Sequence, residues 1–236
     1  FLPKEMHVGA LWIDPRQMLW IGTSNGLHTY DITRDSFTGY YHSGEKGGGL
    51  GSNRITVIRE DRHGRLWIGS EAGLNLFERG RGTFTVYRND LPNVPLIGRD
   101  QIFAIYQDAG GVMWIGTYGG GLCRFDPESG KFVRNYRHQD GDKSSLGSDK
   151  IYCLLEDRRG NFWVGTNSGG LNLFDRAGGT FTRFTTEDGL PSNSILGMLE
   201  DKQGNLWLST SRGLCRFNPR LKTFRNFTAR DGLQGD

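Results

Sequence analysis

The sequence predicts an all-β fold, a β-propeller built of five four-stranded antiparallel blades. Three observations lead to this prediction: a repeat of about 47 residues, four short strand patterns within each repeat, and a composition rich in glycine and aromatic residues. The 236 residues include 36 Gly and only 7 Pro, and aromatic residues make up 12% of the chain. Such a composition favours many short strands joined by tight turns over long helices.

Five tryptophans mark the repeat, and each stands in a phrase that resembles LWIGT. They are Trp20, Trp67, Trp114, Trp163 and Trp207, at spacings of 47, 47, 49 and 44 residues. An aspartate stands six residues before each Trp, and a glycine stands three residues before it in every copy except the first, which has Gln17. We predict one propeller domain over residues 1–236, with blades at 4–46, 47–94, 95–144, 145–190 and 191–236.

Each repeat predicts four strands in the same order. The first is nearly continuously apolar, as in IFAIY from Ile102, which is typical of a strand covered on both faces. The second carries LWIGT, and the third and fourth alternate, as in LNLF from Leu171 and TFTVY from Thr83. A D-x-x-G turn joins the first two strands, where Asp can bond its own backbone and Gly can take a positive φ. Four antiparallel strands at this period are typical of propeller blades.

The last residues of the sequence predict that the repeats continue. DGLQGD repeats the linker DGLPSN, which begins at Asp188 and leads into the fifth blade. Propellers close with about 4 to 8 blades. We therefore expect this chain to be an excerpt of a larger propeller.

Composition and motifs argue against several classes of function. The net charge of +3 gives no reason to expect a nucleic-acid partner or contact with an anionic membrane. Cys123, Cys153 and Cys215 have no C-x-x-C spacing, so we predict no disulfide framework, metal site or cofactor. The five histidines fall at five different points of the repeat, and the repeated Glu-Asp pairs are interpreted as turn caps. We therefore predict no catalytic residue in this segment.

The repeat closely resembles that of a known family. The stretch SDKIYCLLEDRRGNFWVGTNSGGLNLFDRAGGTFTRFTTEDGLPSNSILGMLEDKQGNLWLST is similar to the two-component regulator propeller repeat of bacterial sensor and hybrid histidine kinases. The resemblance spans all five repeats and rests on the pattern E-D-x-x-G-x-L-W-[IV]-G-T…G-G-L…F. The sequence departs from this pattern at Ile13 and Gln17, and at Gln107, where Gln replaces Glu.

This resemblance implies a non-catalytic, ligand-sensing module of a two-component sensor, located in the periplasm. In that family the repeats form paired propellers of about seven blades each. The resemblance implies signal transduction to a histidine kinase, by packing against downstream domains or through a homodimer of the parent chain. No kinase residue lies in this sequence.

Differences between the five copies indicate where a ligand would bind. The D-x-x-G turns are nearly constant, whereas the loop after LWIGT and the linker entering each first strand differ from copy to copy. In a propeller these two segments emerge on the same face, where rigid scaffolds present variable loops for recognition. We predict ligand-binding residues at Arg54, Glu71, Arg99, Tyr118, Lys150 and Asn167. This mixture suits an oligosaccharide, held by stacking and hydrogen bonds, although solvated loop tips remain the alternative.

Two other functions stay open at this point. A protein–protein interaction or dimerisation platform is one, and the basic residues of the last repeat suit an acidic partner. They are Arg212, Arg216, Arg220, Lys222, Arg225 and Arg230. A propeller lyase or hydrolase is the other.

Overall fold

Each repeat forms one four-stranded antiparallel sheet with its strands in chain order, which confirms the prediction of an all-β propeller built of five such blades. The computed structural model describes residues 7–42, 48–91 and 100–233. The strands are β1 (Val8–Ile13), β2 (Met18–Thr23), β3 (Gly26–Asp31) and β4 (Ser36–Tyr40); β5 (Ile55–Glu60), β6 (Leu66–Ser70), β7 (Gly73–Glu78) and β8 (Thr83–Tyr87); β9 (Ile102–Gln107), β10 (Met113–Thr117), β11 (Leu122–Asp126) and β12 (Lys131–Tyr136); β13 (Ile151–Glu156), β14 (Phe162–Thr166), β15 (Leu171–Asp175) and β16 (Thr180–Phe184); and β17 (Ile195–Glu200), β18 (Leu206–Thr210), β19 (Gly213–Asn218) and β20 (Thr223–Phe227). Two single-turn 3-10 helices cover Thr186–Asp188 and Ala229–Asp231.

The chain divides into two compact units. The first unit comprises residues 1–115 and 124–134, and the second comprises 116–123 and 135–236. Within the first unit, β5 packs against β1 and β2, and β9 packs against β5 and β6. Within the second unit, β17 packs against β13 and β14 in the same manner. A single domain over the whole chain stays a prediction.

The second strand, and not the first, is the most buried strand of a sheet. All residues of β6, β10 and β14 are buried, whereas β13 is partly exposed at every residue except Ile151. The expectation of a first strand covered on both faces is therefore wrong for β13, and also for β17, where Leu199 is 74% exposed. The physical reason is that the second strand has a paired strand on each side, whereas the first lies at an edge of its sheet and is covered only where other residues pack against it, as at Val57 and Ile58 of β5.

The glycine of LWIGT permits close packing of neighbouring sheets within each unit. A Cβ added at Gly165 would lie 2.5 Å from Cys153 Sγ and 2.9 Å from Ile195 Cγ2 of the next sheet. At Gly69 a Cβ would lie 2.8 Å from Ile102 Cγ2 of the next sheet. Only a residue without a side chain lets the following first strand approach this closely.

The repeated aromatic residues also join neighbouring sheets. Within the units, a Trp packs edge to face against the Phe of the next sheet in the pairs Trp20–Phe77, Trp67–Phe125 and Trp163–Phe217, with ring centroids 5.0, 5.4 and 5.6 Å apart. Such pairs contribute about 0.5–1.5 kcal/mol each beyond the burial of their surface. The Trp and Phe positions of the repeat are therefore core positions, which explains their regular spacing.

Candidate functional site

The D-x-x-G turns lie at one end of each sheet, which we call the turn edge. In the fourth sheet, Asp157 Oδ1 accepts the backbone N–H groups of Arg159 at 3.0 Å and Asn161 at 2.9 Å. Asp157 Oδ2 accepts the indole N–H of Trp163 at 2.9 Å. The same Asp–Trp bond is present in all five sheets, at 2.9–3.1 Å. Sequence reasoning predicted the backbone bonds and missed the indole bond, although the constant six-residue spacing was its signal.

The turn-edge hydrogen bonds stabilise the charged form of the aspartate. Burial by itself raises the pKa of Asp157, but the hydrogen bonds from Trp163 and Asn161 outweigh it, so this pKa lies below its usual value. The same balance lowers the pKa of Asp61, where Trp67 and Arg65 are the side-chain donors. These carboxylates therefore act as hydrogen-bond acceptors of the fold and are poorly suited to proton transfer at neutral pH.

The Glu of the last Glu-Asp pair has a different role from the one predicted. Glu200 Oε2 accepts the backbone N–H of Arg158, in the turn of the preceding sheet, at 3.0 Å. Gln107 Oε1 accepts the backbone N–H of Arg62 in the same way at 2.8 Å. The interpretation as a turn cap is therefore correct for Asp and wrong for Glu200, which joins the turn of one sheet to the next sheet.

At the opposite end of each sheet, the loop after the second strand meets the linker that enters the first strand, and we call this end the loop edge. The backbone N–H of Asn167 donates to the carbonyl of Lys150 at 2.9 Å, and that of Glu71 donates to the carbonyl of Arg54 at 3.2 Å. The equivalent bond in the fifth sheet, from Ser211, is 3.3 Å long. In each of these sheets the two variable segments are therefore direct neighbours.

In the first unit, the structure brings two predicted residues together as an ion pair. Arg54 Nη1 lies 3.3 Å from Glu71 Oε1, and the two side chains are 65% and 33% exposed. The charges of this pair cancel each other. The predicted residue Arg99 lies outside the described residues.

In the second unit, the structure brings the other three predicted residues together. Tyr118 and Lys150 form an isolated antiparallel β-bridge, and Lys150 Nζ lies 4.9 Å from the centroid of the Tyr118 ring. Asn167 adjoins Lys150 through the backbone bond described above. The ring centroids of Tyr152 and Tyr118 are 5.9 Å apart, and burial together with a hydrogen bond to Tyr118 raises the pKa of Tyr152. The Tyr118 ring was predicted to stack on a sugar. The Lys150 ammonium therefore covers one face of this ring.

Two loops of the second unit, those of the third and fourth repeats, are also longer, a feature that sequence reasoning missed. The Leu of the Gly-Leu pair follows the Trp by eight positions in the third and fourth repeats and by seven in the other three. In the fourth sheet, the carbonyl of Gly169 lies close to Gly147 in the entering linker. The signal was present in the sequence as a one-residue difference between otherwise similar copies.

Two histidines that seemed unrelated in sequence share one structural position. His42 Nδ1 bonds the carbonyl of Leu50 at 2.6 Å, and His138 Nδ1 bonds that of Leu146 at 2.8 Å. The interpretation that the five histidines fall at five different points is therefore wrong for this pair. Each histidine lies two residues after the Tyr that ends the fourth strand of its sheet. Each bonds a carbonyl of the linker that follows.

The described residues contain no cluster of three or more His, Cys, Asp or Glu side chains that could hold a metal ion. Burial raises the pKa of the Cys153 thiol to about 12 and that of Cys215 to about 11, so neither thiol is a ready nucleophile. In the same parts of the chain, no helix has the length and apolar character needed to cross a membrane.

Comparisons with known proteins agree with this geometry. Residues 49–72, 96–119, 145–168 and 189–212 match the family model of the two component regulator propeller, and each match ends in a loop-edge segment. No curated protein matches the chain.

Similar solved structures include two sensor proteins. The extracellular domain of the putative one component system BT4673 from B. thetaiotaomicron is 24% identical with a TM-score of 0.79, over 95% of this chain and 31% of that chain. The extracellular domain of the putative hybrid two component system BT3049 from B. thetaiotaomicron is 25% identical with a TM-score of 0.78, over 93% of this chain and 29% of that chain. The chain thus spans less than a third of either sensor domain.

Virginiamycin B lyase from Staphylococcus aureus is also similar, at 14% identity and a TM-score of 0.70, over 93% of this chain and 69% of that chain. At this identity the likeness shows a shared fold alone. The matched segments and the five four-stranded sheets agree, and four of the five repeats match the two component regulator propeller repeat.

Proposed function

We propose that the chain is the ligand-sensing part of an extracytoplasmic sensor and that it binds an oligosaccharide at its loop edge. The observation that carries this proposal is the contrast between nearly constant turn edges and variable loop edges on sheets of the same repeat. The similar extracellular domains of BT4673 and BT3049 support a sensor located outside the cytoplasm. In a bacterium with two membranes, this location is the periplasm.

The side chains of the second unit are the best candidates for contact with the ligand. Asn167 offers an amide with both donor and acceptor atoms, and Ser168 and Ser148 offer hydroxyl groups 3.2 Å apart. The Tyr118 ring adds an apolar surface of the kind that packs against sugars. Arg54 and Glu71 offer a second, neutral polar group in the first unit.

The bound state is passed on by packing against downstream domains of the parent chain, including a histidine kinase, or through a homodimer. A rigid scaffold suits this role, because Trp–Phe packing joins neighbouring sheets within each unit, and turn N–H groups donate to Gln107 and Glu200 of the following sheets. A change in the loop edge on ligand binding is then coupled to the rest of the domain through the packed sheets.

The experiment that tests this proposal combines thermal unfolding with mass spectrometry on a panel of oligosaccharides. A ligand at about 100 times its Kd stabilises the fold by roughly 2.7 kcal/mol, which raises Tm by about 5–10 °C for a chain of this size. The variant Asn167→Ala should lose this shift, and Gln203→Ala on the turn edge is the matched control. A panel that leaves Tm unchanged contradicts the proposal, and cleavage of the sugar supports the lyase or hydrolase alternative instead.

A further inference from the structure

Arg54 and Lys150, two of the cations at the loop edge, have different partners, and this difference bears on which sugars the proposed site accepts. Arg54 is paired with the Glu71 carboxylate at 3.3 Å. Lys150 lies over the Tyr118 ring at 4.9 Å, and no carboxylate of the described residues forms an ion pair with it. One cation is thus neutralised and the other is not.

A ring holds an ammonium group without cancelling its charge. The face of an aromatic ring attracts a cation through its quadrupole, with no net negative charge of its own. The exposed Lys150 ammonium is therefore restrained in position and still carries a full positive charge toward solvent. A carboxylate partner would give the same restraint but would remove the attraction for an anion.

The carboxylate nearest to Lys150 in sequence, that of Asp149, bonds other residues. Asp149 Oδ2 accepts from Arg137 Nη2 at 2.6 Å and from Arg137 Nε at 3.1 Å, while Asp149 Oδ1 accepts the backbone N–H of His138 at 2.6 Å. Further along the same linker, Asp142 accepts from Ser144 at 2.7 Å. Asp149 and Asp142 are therefore bonded to other groups of the linker and do not pair with Lys150.

Residues with uncharged hydrogen-bond donors are joined to the backbone of Lys150. Asn167 is joined to Lys150 by its backbone, and its side-chain amide forms no hydrogen bond within the described part of the chain. The Ser168 hydroxyl donates to Ser148 Oγ, which also accepts the backbone N–H of Lys150 at 3.3 Å. A cation with neighbouring amide and hydroxyl donors is the arrangement that binds carboxylate and sulfate oxygens well.

We propose that the loop edge of the second unit selects an acidic saccharide, whose carboxylate or sulfate group binds Lys150 while its neighbouring hydroxyls bond Asn167. This inference rests on the proposed function and specifies the substrate class of the same site. Tyr118 is a positioning residue that holds the ammonium in place.

The test compares acidic and neutral forms of the same sugar by titration calorimetry on the whole chain. Oligogalacturonate is the carboxylate probe and its methyl ester is the neutral match; a chondroitin sulfate oligosaccharide and its desulfated form are the sulfate pair. At least one acidic member should bind about tenfold tighter than its less charged match, and added salt should reduce this difference. The pair that shows the preference distinguishes a carboxylate from a sulfate ligand.

Three variants assign this preference to one side chain. Lys150→Gln should remove the tenfold difference and leave binding of the neutral match unchanged, while Lys150→Arg should retain it. Lys143→Gln, which removes an exposed charge from the same linker, is the control and should bind like the unaltered chain. Circular dichroism and Tm of each variant separate a binding effect from a folding defect.

Two results overturn the inference and are distinguishable from each other. Equal binding of acidic and neutral forms, or equal loss of both in Lys150→Gln, overturns the acidic preference and leaves oligosaccharide sensing in place. Failure of every probe to bind overturns the inference together with the proposed function.

Discussion

The two ends of each sheet follow opposite rules. At the turn edge, the same hydrogen bonds recur, with Asp bonded to the backbone and to the Trp indole in all five sheets. At the loop edge, the backbone bond between loop and linker recurs, and the Thr or Ser that ends each second strand bonds the backbone of its loop, while the side chains of the loop itself change. Contacts that recur from sheet to sheet mark stability, and exposed side chains that change above a recurring framework mark a surface free to acquire specificity.

Removal of a turn-edge aspartate tests the stability side of this comparison and should have the largest effect. Asp157→Ala leaves the buried Trp163 indole N–H without its acceptor and removes two backbone bonds, so the free energy of unfolding should fall by about 3 kcal/mol. Chemical denaturation measures the loss. The control Asp175→Ala removes an exposed carboxylate that bonds one backbone N–H, and should cost roughly a third as much. Equal losses in the two variants would contradict a special role for the turn edge.

The exception among the turns provides a second, smaller test. Gln17 takes φ 64° where the other four turns have glycine at φ 74–87°. Gln17→Gly should stabilise the chain by up to about 1 kcal/mol, because a side chain is unfavourable in this left-handed region.

The reverse change in another turn is the matched control. A Cβ at Gly160 would meet no atom within 4 Å, so Gly160→Gln changes backbone strain without a steric clash. It should destabilise the chain by a similar amount in the same denaturation experiment. A gain of stability in Gly160→Gln would refute the backbone explanation.

Neutralisation of a loop-edge residue should have the smallest effect on stability. Glu71→Gln breaks the exposed ion pair with Arg54, and such pairs contribute about 0.5 kcal/mol or less. Tm should therefore change by no more than about 2 °C, with Arg54→Gln as the companion variant. A loss as large as that of Asp157→Ala would place the loop edge among the structural contacts and would remove the contrast between the two ends.

Much of the fold was predictable from local patterns. The spacing of Trp163 from Asp157 and Gly160 located the turn, the alternation after Gly170 located the third strand, and the positive φ of Gly160 follows from the turn type. Burial was less predictable. IYCLL from Ile151 has the apolar pattern of a buried strand, yet its exposure depends on its place at the edge of a sheet.

By itself, the sequence determined the all-β class, the five repeats, the strand order and the segments in which variation is concentrated. These follow from short-range spacing, which the periodicity of a strand and the geometry of a tight turn express directly. Only the tertiary structure decided that Arg54 is paired with Glu71 whereas Lys150 lies over Tyr118. Such pairings join segments that are distant along the chain, and they depend on which loops the packed sheets bring together, so no local pattern encodes them.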